Sequence, residues 1–139
     1  MRKSRVFPRG EKMGNKVSDT LLLIEDDDEV RTLYRMIFEF NGYRVVEAVD
    51  GEDGIAKFIE HQNEIRLMII DVMMPNKNGR EAYEEIRRIK NEVKVIFTSG
   101  FNSEMTRQLK DAGWNYMQKP FSPQDLLLRI KAALAECPL

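Results

Sequence analysis

Leu67-Met68-Ile69-Ile70-Asp71-Val72-Met73-Met74-Pro75-Asn76-Lys77-Asn78-Gly79 passes from an unbroken apolar run to a carboxylate and then to a Pro/Asn/Gly loop. Apolar residues at consecutive positions cannot all face one side of a strand. Such a run therefore suits a strand covered on both faces, as in a parallel sheet between helical layers. Asp71 stands at the carboxyl end of that strand, where open α/β sheets gather their chemistry.

The same unit recurs on either side. Leu21-Leu22-Leu23-Ile24 is a second continuous run, followed by Val30, Leu33, Tyr34, Ile37 and Phe38 at helical spacing and by Asn41-Gly42 as a helix stop. Tyr43 to Val49 reads as a strand, and Asp50 to His61 as a helix with Ile55, Phe58 and Ile59 inward. Beyond Gly79, a helix from about Arg80 to Ile89 places Ala82, Tyr83, Ile86 and Ile89 on one side. A strand at 93–97, a helix at 103–112, a strand at 115–118 and a helix opened by Pro123 complete the series. Five strand–helix units in alternation predict an α/β fold with a parallel sheet between two helical layers.

The 139 residues suffice for one ordinary domain, and 42% hydrophobic with 32% charged residues fits a soluble globular chain. No stretch approaches the roughly 20 apolar residues of a membrane span, and no signal-peptide core opens the chain. The single Cys137 leaves no internal disulfide and suits a reducing, cytoplasmic setting. Residues 1–19 carry Arg2, Lys3, Arg5, Arg9, Lys12 and Lys16 against Glu11 and Asp19, so this tail is basic and the remainder acidic. It reads as a linker ahead of a domain at 20–136, with Pro8, Gly10 and Gly14 disfavouring regular structure.

Polar residues follow four of the five strands: Glu25-Asp26-Asp27-Asp28, Asp71, Thr98-Ser99 and Lys119. Each has a bland reading alone. Asp28 reads as a helix N-cap, Asp71 as a turn starter, Thr98-Ser99-Gly100 as a turn and Lys119-Pro120 as a solvated loop. Together on one rim they make a chemical set. Glu25, Asp26 and Asp71 would repel one another unless a hard dication such as Mg2+ or Mn2+ neutralised them. A carboxylate beside such an ion can attack phosphorus and form an acyl phosphate. Lys119 and the Thr98 hydroxyl would complete the charge neutralisation that phosphoryl transfer asks of a protein.

These stretches, with Val95-Ile96-Phe97-Thr98-Ser99-Gly100 and Lys119-Pro120-Phe121, resemble the receiver domain of two-component response regulators, over about residues 20–135. The resemblance implies the flavodoxin-like, doubly wound strand order 2-1-3-4-5 known from the chemotaxis receiver CheY. It implies a phosphoacceptor, Asp71, charged by the phosphohistidine of a sensor histidine kinase or a histidine phosphotransfer domain. Glu25, Asp26, Asp71 and the Met73 backbone carbonyl would hold the metal, Lys119 would pair with the phosphoryl group, and Thr98 with Tyr116 would form the switch. Gly79 matches the glycine closing the acceptor loop, and Pro120 the residue often preceded by a cis bond. Output or homodimer contacts would use the face of the fourth helix, fifth strand and fifth helix, without direct nucleic-acid or membrane binding. Such a chain is a switch rather than an enzyme with an external substrate, either alone or excised from a hybrid kinase or longer regulator.

Three departures stand out: Glu25 for the commoner Asp, Ser99 where Ala or Gly is frequent, and large Met73 beside the acceptor. They predict a phosphoryl group that persists. Met73 also disfavours a dehalogenase-type phosphatase, which wants a general-acid Asp there. The acidic end of the first strand disfavours a dinucleotide binder, which wants glycines. His61 reads as a surface residue and Trp114 as a partly buried loop anchor.

Overall fold

The computed structural model describes residues 12–13, 16–17, 19–100 and 103–135. Its main sheet contains β1 (Thr20–Ile24), β2 (Arg44–Ala48), β3 (Ile65–Asp71), β4 (Lys94–Ser99) and β5 (Tyr116–Gln118). All neighbours are parallel and the order is 2-1-3-4-5. The helices are α1 (Asp28–Phe40), α2 (Gly51–His61), α3 (Gly79–Ile89), α4 (Ser103–Asp111) and α5 (Pro123–Ala135).

Strand alternation divides the core into two layers, as the period-two geometry of a strand requires. Leu22, Ile24, Met68, Ile70, Val95 and Phe97 face the α2–α3–α4 side, against Phe58, Tyr83, Ile86 and Leu109. Leu21, Leu23, Leu67, Ile69 and Ile96 face the α1–α5 side, against Phe38, Leu126, Ile130 and Ala133. β1 and the centre of β3 are therefore buried throughout, which is what their continuous apolar runs encode. Gly42 takes φ +95° just after α1, a left-handed conformation in which its N–H reaches Glu39 O at 3.0 Å.

Several expectations are corrected. Asp27, not Asp28, caps α1: its carboxylate accepts from the N–H groups of Glu29 and Val30, and Asp28 is the first helical residue. The strand ends at Ile24 as the apolar run predicts, but the helix begins one residue earlier than a cap at Asp28 would allow. Ile59 is half exposed, because a helix turns 100° per residue and Phe58 already occupies the inward direction. Ile89 and Leu33 likewise face outward. In the basic tail, Lys12–Met13 pairs antiparallel with Lys16–Val17, contrary to the expectation of no regular structure. That expectation counted Gly14, with Pro8 and Gly10, against regular structure, although glycine is also a common residue of short hairpin connections. The rest of the tail, and Cys137, lie outside the described residues.

Element ends shift by a residue or two. β3 begins at Ile65, and β4 runs through Thr98 and Ser99 rather than stopping before them. α3 begins at Gly79 behind an Asn78–Glu81 capping box, in which each side chain bonds the other's backbone N–H. Gly79 is required for space: a Cβ there would lie 2.5 Å from Asp71 O and 2.9 Å from Val72 Cα. Backbone cannot yield as a flexible side chain can, so only glycine lets α3 start against the end of β3.

Gly79→Ala should accordingly destabilise the fold by about 2 kcal/mol, the cost of overpacking. Gly100→Ala, where a Cβ meets nothing within 4 Å, should change stability by less than about 0.5 kcal/mol. Urea midpoints of the two variants check this, and equal midpoints would contradict it.

Candidate functional site

Ile24 pairs with Ile70, and Asp71 with Thr98, so sheet register alone sets the ends of β1, β3 and β4 side by side. Glu25 and Asp71 are almost completely buried there, and Thr98 is 1% exposed. Asp26 is exposed at the rim. Carboxylate oxygens of Glu25, Asp26 and Asp71 lie within 4.8 Å of one another, the single such acidic cluster among the described residues.

The backbone around the cluster is built to receive negative charge. Met73 N–H donates to Asp71 Oδ1 at 2.9 Å, and Asp27 N–H donates to a Glu25 carboxylate oxygen at 3.1 Å. Lys119 Nζ stands 3.8 Å from Asp71 Oδ2, its backbone held by its own N–H on Ser99 O at 2.7 Å, and the Lys119–Pro120 bond is cis as the resemblance implies. That separation is an ion pair without a short hydrogen bond, so the compensation is incomplete.

The protonation behaviour reflects this. Burial, then the charge of Asp71, pushes the Glu25 carboxyl up to about 7. Burial also raises Asp71, opposed by the Met73 N–H and by Lys119. Tyr34, on α1, is pushed up to about 12, first by burial and then by the Glu25 and Asp71 charges. An all-oxygen donor set with excess negative charge fits a hard dication such as Mg2+. The Met73 carbonyl belongs to the loop whose N–H already bonds Asp71.

Not every expected residue joins the cluster. Tyr116 is the register partner of Phe97 rather than of Thr98, which faces Met117. Its ring packs with Trp114 on the apolar cluster that contains Phe97. Ser99 is fully buried, with its hydroxyl 2.9 Å from Thr106 Oγ1 on α4 and 3.3 Å from Gly100 O. Trp114 is partly buried and stacks on Phe97, with Arg80 over its ring. His61 is partly exposed beside Glu60 and Glu64. Arg31 was overlooked in the sequence: it closes the acidic stretch after β1, and its guanidinium bonds the Glu25 carbonyl at 2.8 Å.

The sign of the pH dependence follows from Glu25. Its carboxyl titrates near 4.5 when unfolded and near 7 when folded. The folded state thus holds the extra proton, and the stability this contributes is complete below about 4.5 and lost as pH rises through about 7. Metal-free protein should melt at falling temperature across that window. Asp71→Asn, lacking the repelling charge, should show a flatter profile and a higher Tm at pH 8. Calorimetric melts in chelator check both, and a wild-type Tm that climbs steadily from pH 5 to 8 would contradict them.

Comparison with known proteins agrees with the fold. The family model described as "Response regulator receiver domain" matches residues 21–131. The chain is 31% identical over 116 residues to Response regulator SaeR of Staphylococcus aureus, covering 82% of this chain and 50% of that protein. It therefore spans about half the length of the curated relatives it matches. A receiver domain protein from Clostridium thermocellum superposes with a TM-score of 0.77 at 27% identity, covering 84% of this chain and 94% of that one. A CheY-like receiver domain protein from Methanospirillum hungatei gives 0.75 at 30% identity, covering 84% and 94%. No described helix is long and apolar enough to cross a membrane. The chain belongs to the response regulator receiver domain family.

Proposed function

We propose that the chain is a phosphoacceptor switch in which Asp71 takes a phosphoryl group from the phosphohistidine of a sensor kinase or histidine phosphotransfer domain. The observation that carries this reading is the buried acceptor carboxylate with Lys119 Nζ 3.8 Å away and two further acids at its edge. In the transfer, an Asp71 carboxylate oxygen bonds to phosphorus as the phosphorus–nitrogen bond breaks. The electron pair leaves on the donor imidazole, and Asp71 becomes an acyl phosphate.

This chain's residues then divide the work. Asp71 is the nucleophile, oriented by the Met73 N–H. Glu25, Asp26, Asp71 and the Met73 carbonyl hold Mg2+, which when bound supplies positive charge to the phosphoryl oxygens. Lys119 supplies charge from the other side as a compact cation. Thr98 donates its hydroxyl to the added group, a role supported by its register pairing with Asp71. Tyr116 follows as the second half of the switch, on the strand next to that of Thr98. Output is read on the α4–β5–α5 face by a partner or a second copy. The receiver unit is 20–136, and the basic residues before it are a linker.

The acceptor's lifetime is set by access of water. Met73 is 46% exposed beside Asp71, and Ser99 fills space that a smaller residue would leave open. The acyl phosphate should persist well beyond seconds after the donor is removed, and decay within seconds would contradict this.

Acetyl phosphate, a small donor, tests the assignment itself. Intact-mass measurement should show one added phosphoryl group that requires Mg2+ and is absent in Asp71→Asn. Labelling elsewhere, or equal labelling of the variant, would overturn it.

A further inference from the structure

The Glu25–Asp26 peptide links two of the three acids, and a planar peptide transmits any rotation to both of its Cα atoms. Its carbonyl lies beyond the last ladder pairs of β1, in which Ile24 faces Ala48 and Ile70. Glu25 N–H still bonds Ala48 O at 3.1 Å, so one side of the residue remains anchored to β2. The other side is held by Arg31: its Nη1 donates to Glu25 O at 2.8 Å.

Arg31 is itself fixed in three directions. Its Nε donates to Glu47 on β2 at 3.3 Å, and its Nη2 to Asp28 at 2.6 Å. Arg35 Nε meets the other Glu47 oxygen at 3.0 Å, and Lys57 Nζ bonds the Glu47 carbonyl at 2.9 Å. The Arg31 side chain is only 12% exposed, whereas the Arg107–Glu104 pair on α4 lies open at 64% and 60%. The guanidinium fork thus spans α1, β2 and the acid-bearing peptide. Its charge is met by Glu47 and Asp28, and the proton it gives to Glu25 goes to a neutral carbonyl.

From this we propose that Arg31 is a positioning residue for the metal-binding acids. It acts by holding the Glu25–Asp26 peptide, with Glu47 as its anchor, rather than by its charge. Three crowded carboxylates tend to splay apart, and a clamp on the peptide joining two of them keeps their oxygens converged before the cation arrives. The proposal rests on the metal reading given above.

Charge and position predict opposite signs. A nearby cation repels Mg2+, so an electrostatic role would make Arg31→Met bind Mg2+ more tightly and let Arg31→Lys behave as wild type. A positional role makes both variants weaker, because lysine lacks the planar fork. The test is calorimetric titration of Mg2+ into the full chain at pH 8, below the melting temperature of each variant. Both Arg31→Met and Arg31→Lys should bind about tenfold more weakly, the scale on which supporting partners of metal ligands act. Arg66→Met, which loses only an exposed pair with Asp19, should match wild type. Unchanged or tighter binding by Arg31→Met, or full affinity in Arg31→Lys, would overturn the proposal while leaving the metal site intact. Should Arg31→Met fail to fold, Arg31→Lys decides by the same criterion. Absence of Mg2+ binding by wild type would overturn the site reading, and this proposal with it.

Discussion

Glu25 and Asp71 confront one another at the ends of adjacent strands, in a place from which most water has been removed, and much of the fold can be read as a response to that repulsion. Burying a carboxylate without full compensation is costly, and burying two together costs more than the sum. The sheet order makes the encounter unavoidable, because β1 and β3 are neighbours in register up to Ile24 and Ile70. Partial relief comes from the Met73 and Asp27 N–H groups and from Lys119 at 3.8 Å. What is left over is a proton retained on Glu25, or a cation in its place. A site that is uncomfortable when empty is one whose stability and ligand binding are linked.

The same strand ends connect the acids to the parts that could report on them. Val72 N–H bonds Thr98 O, and Lys119 N–H bonds Ser99 O, so the tips of β3, β4 and β5 share one short network. Ser99 extends it through its hydroxyl to Thr106 on α4. Asp71 immediately precedes Val72 in this network, and α4 is the helix the network reaches. α4 also carries few apolar anchors, chiefly Leu109 and Met105, and elements with little buried apolar surface are the ones that shift at low cost.

Alternation of strands and helices was legible because β1 and β3 are buried on both faces and therefore apolar without interruption. Strand order was not contained in that pattern; it came with the resemblance. The acids, Thr98 and Lys119 could be assembled from their places after strands, since the rule about carboxyl ends needs no coordinates. Finer features failed where several residues compete for one job. Asp26, Asp27 and Asp28 are equivalent on paper as caps, and only the point at which the helix begins selects Asp27. Leu33, Ile59 and Ile89 fit the apolar helical spacing but lie past the edge of the inward face. Arg31 was invisible for a different reason: its partner is a main-chain carbonyl, which has no sequence signature.

The direct measure of the central claim is a carbon-13 NMR titration of the side-chain carboxyl of Glu25, without metal and then with saturating Mg2+. The account predicts a midpoint near 7 in the metal-free protein, moved below the ordinary carboxylate range when the cation is present. A Glu25 that titrates near 4.5 without metal would contradict it, for the two buried carboxylates would then not be in conflict at all.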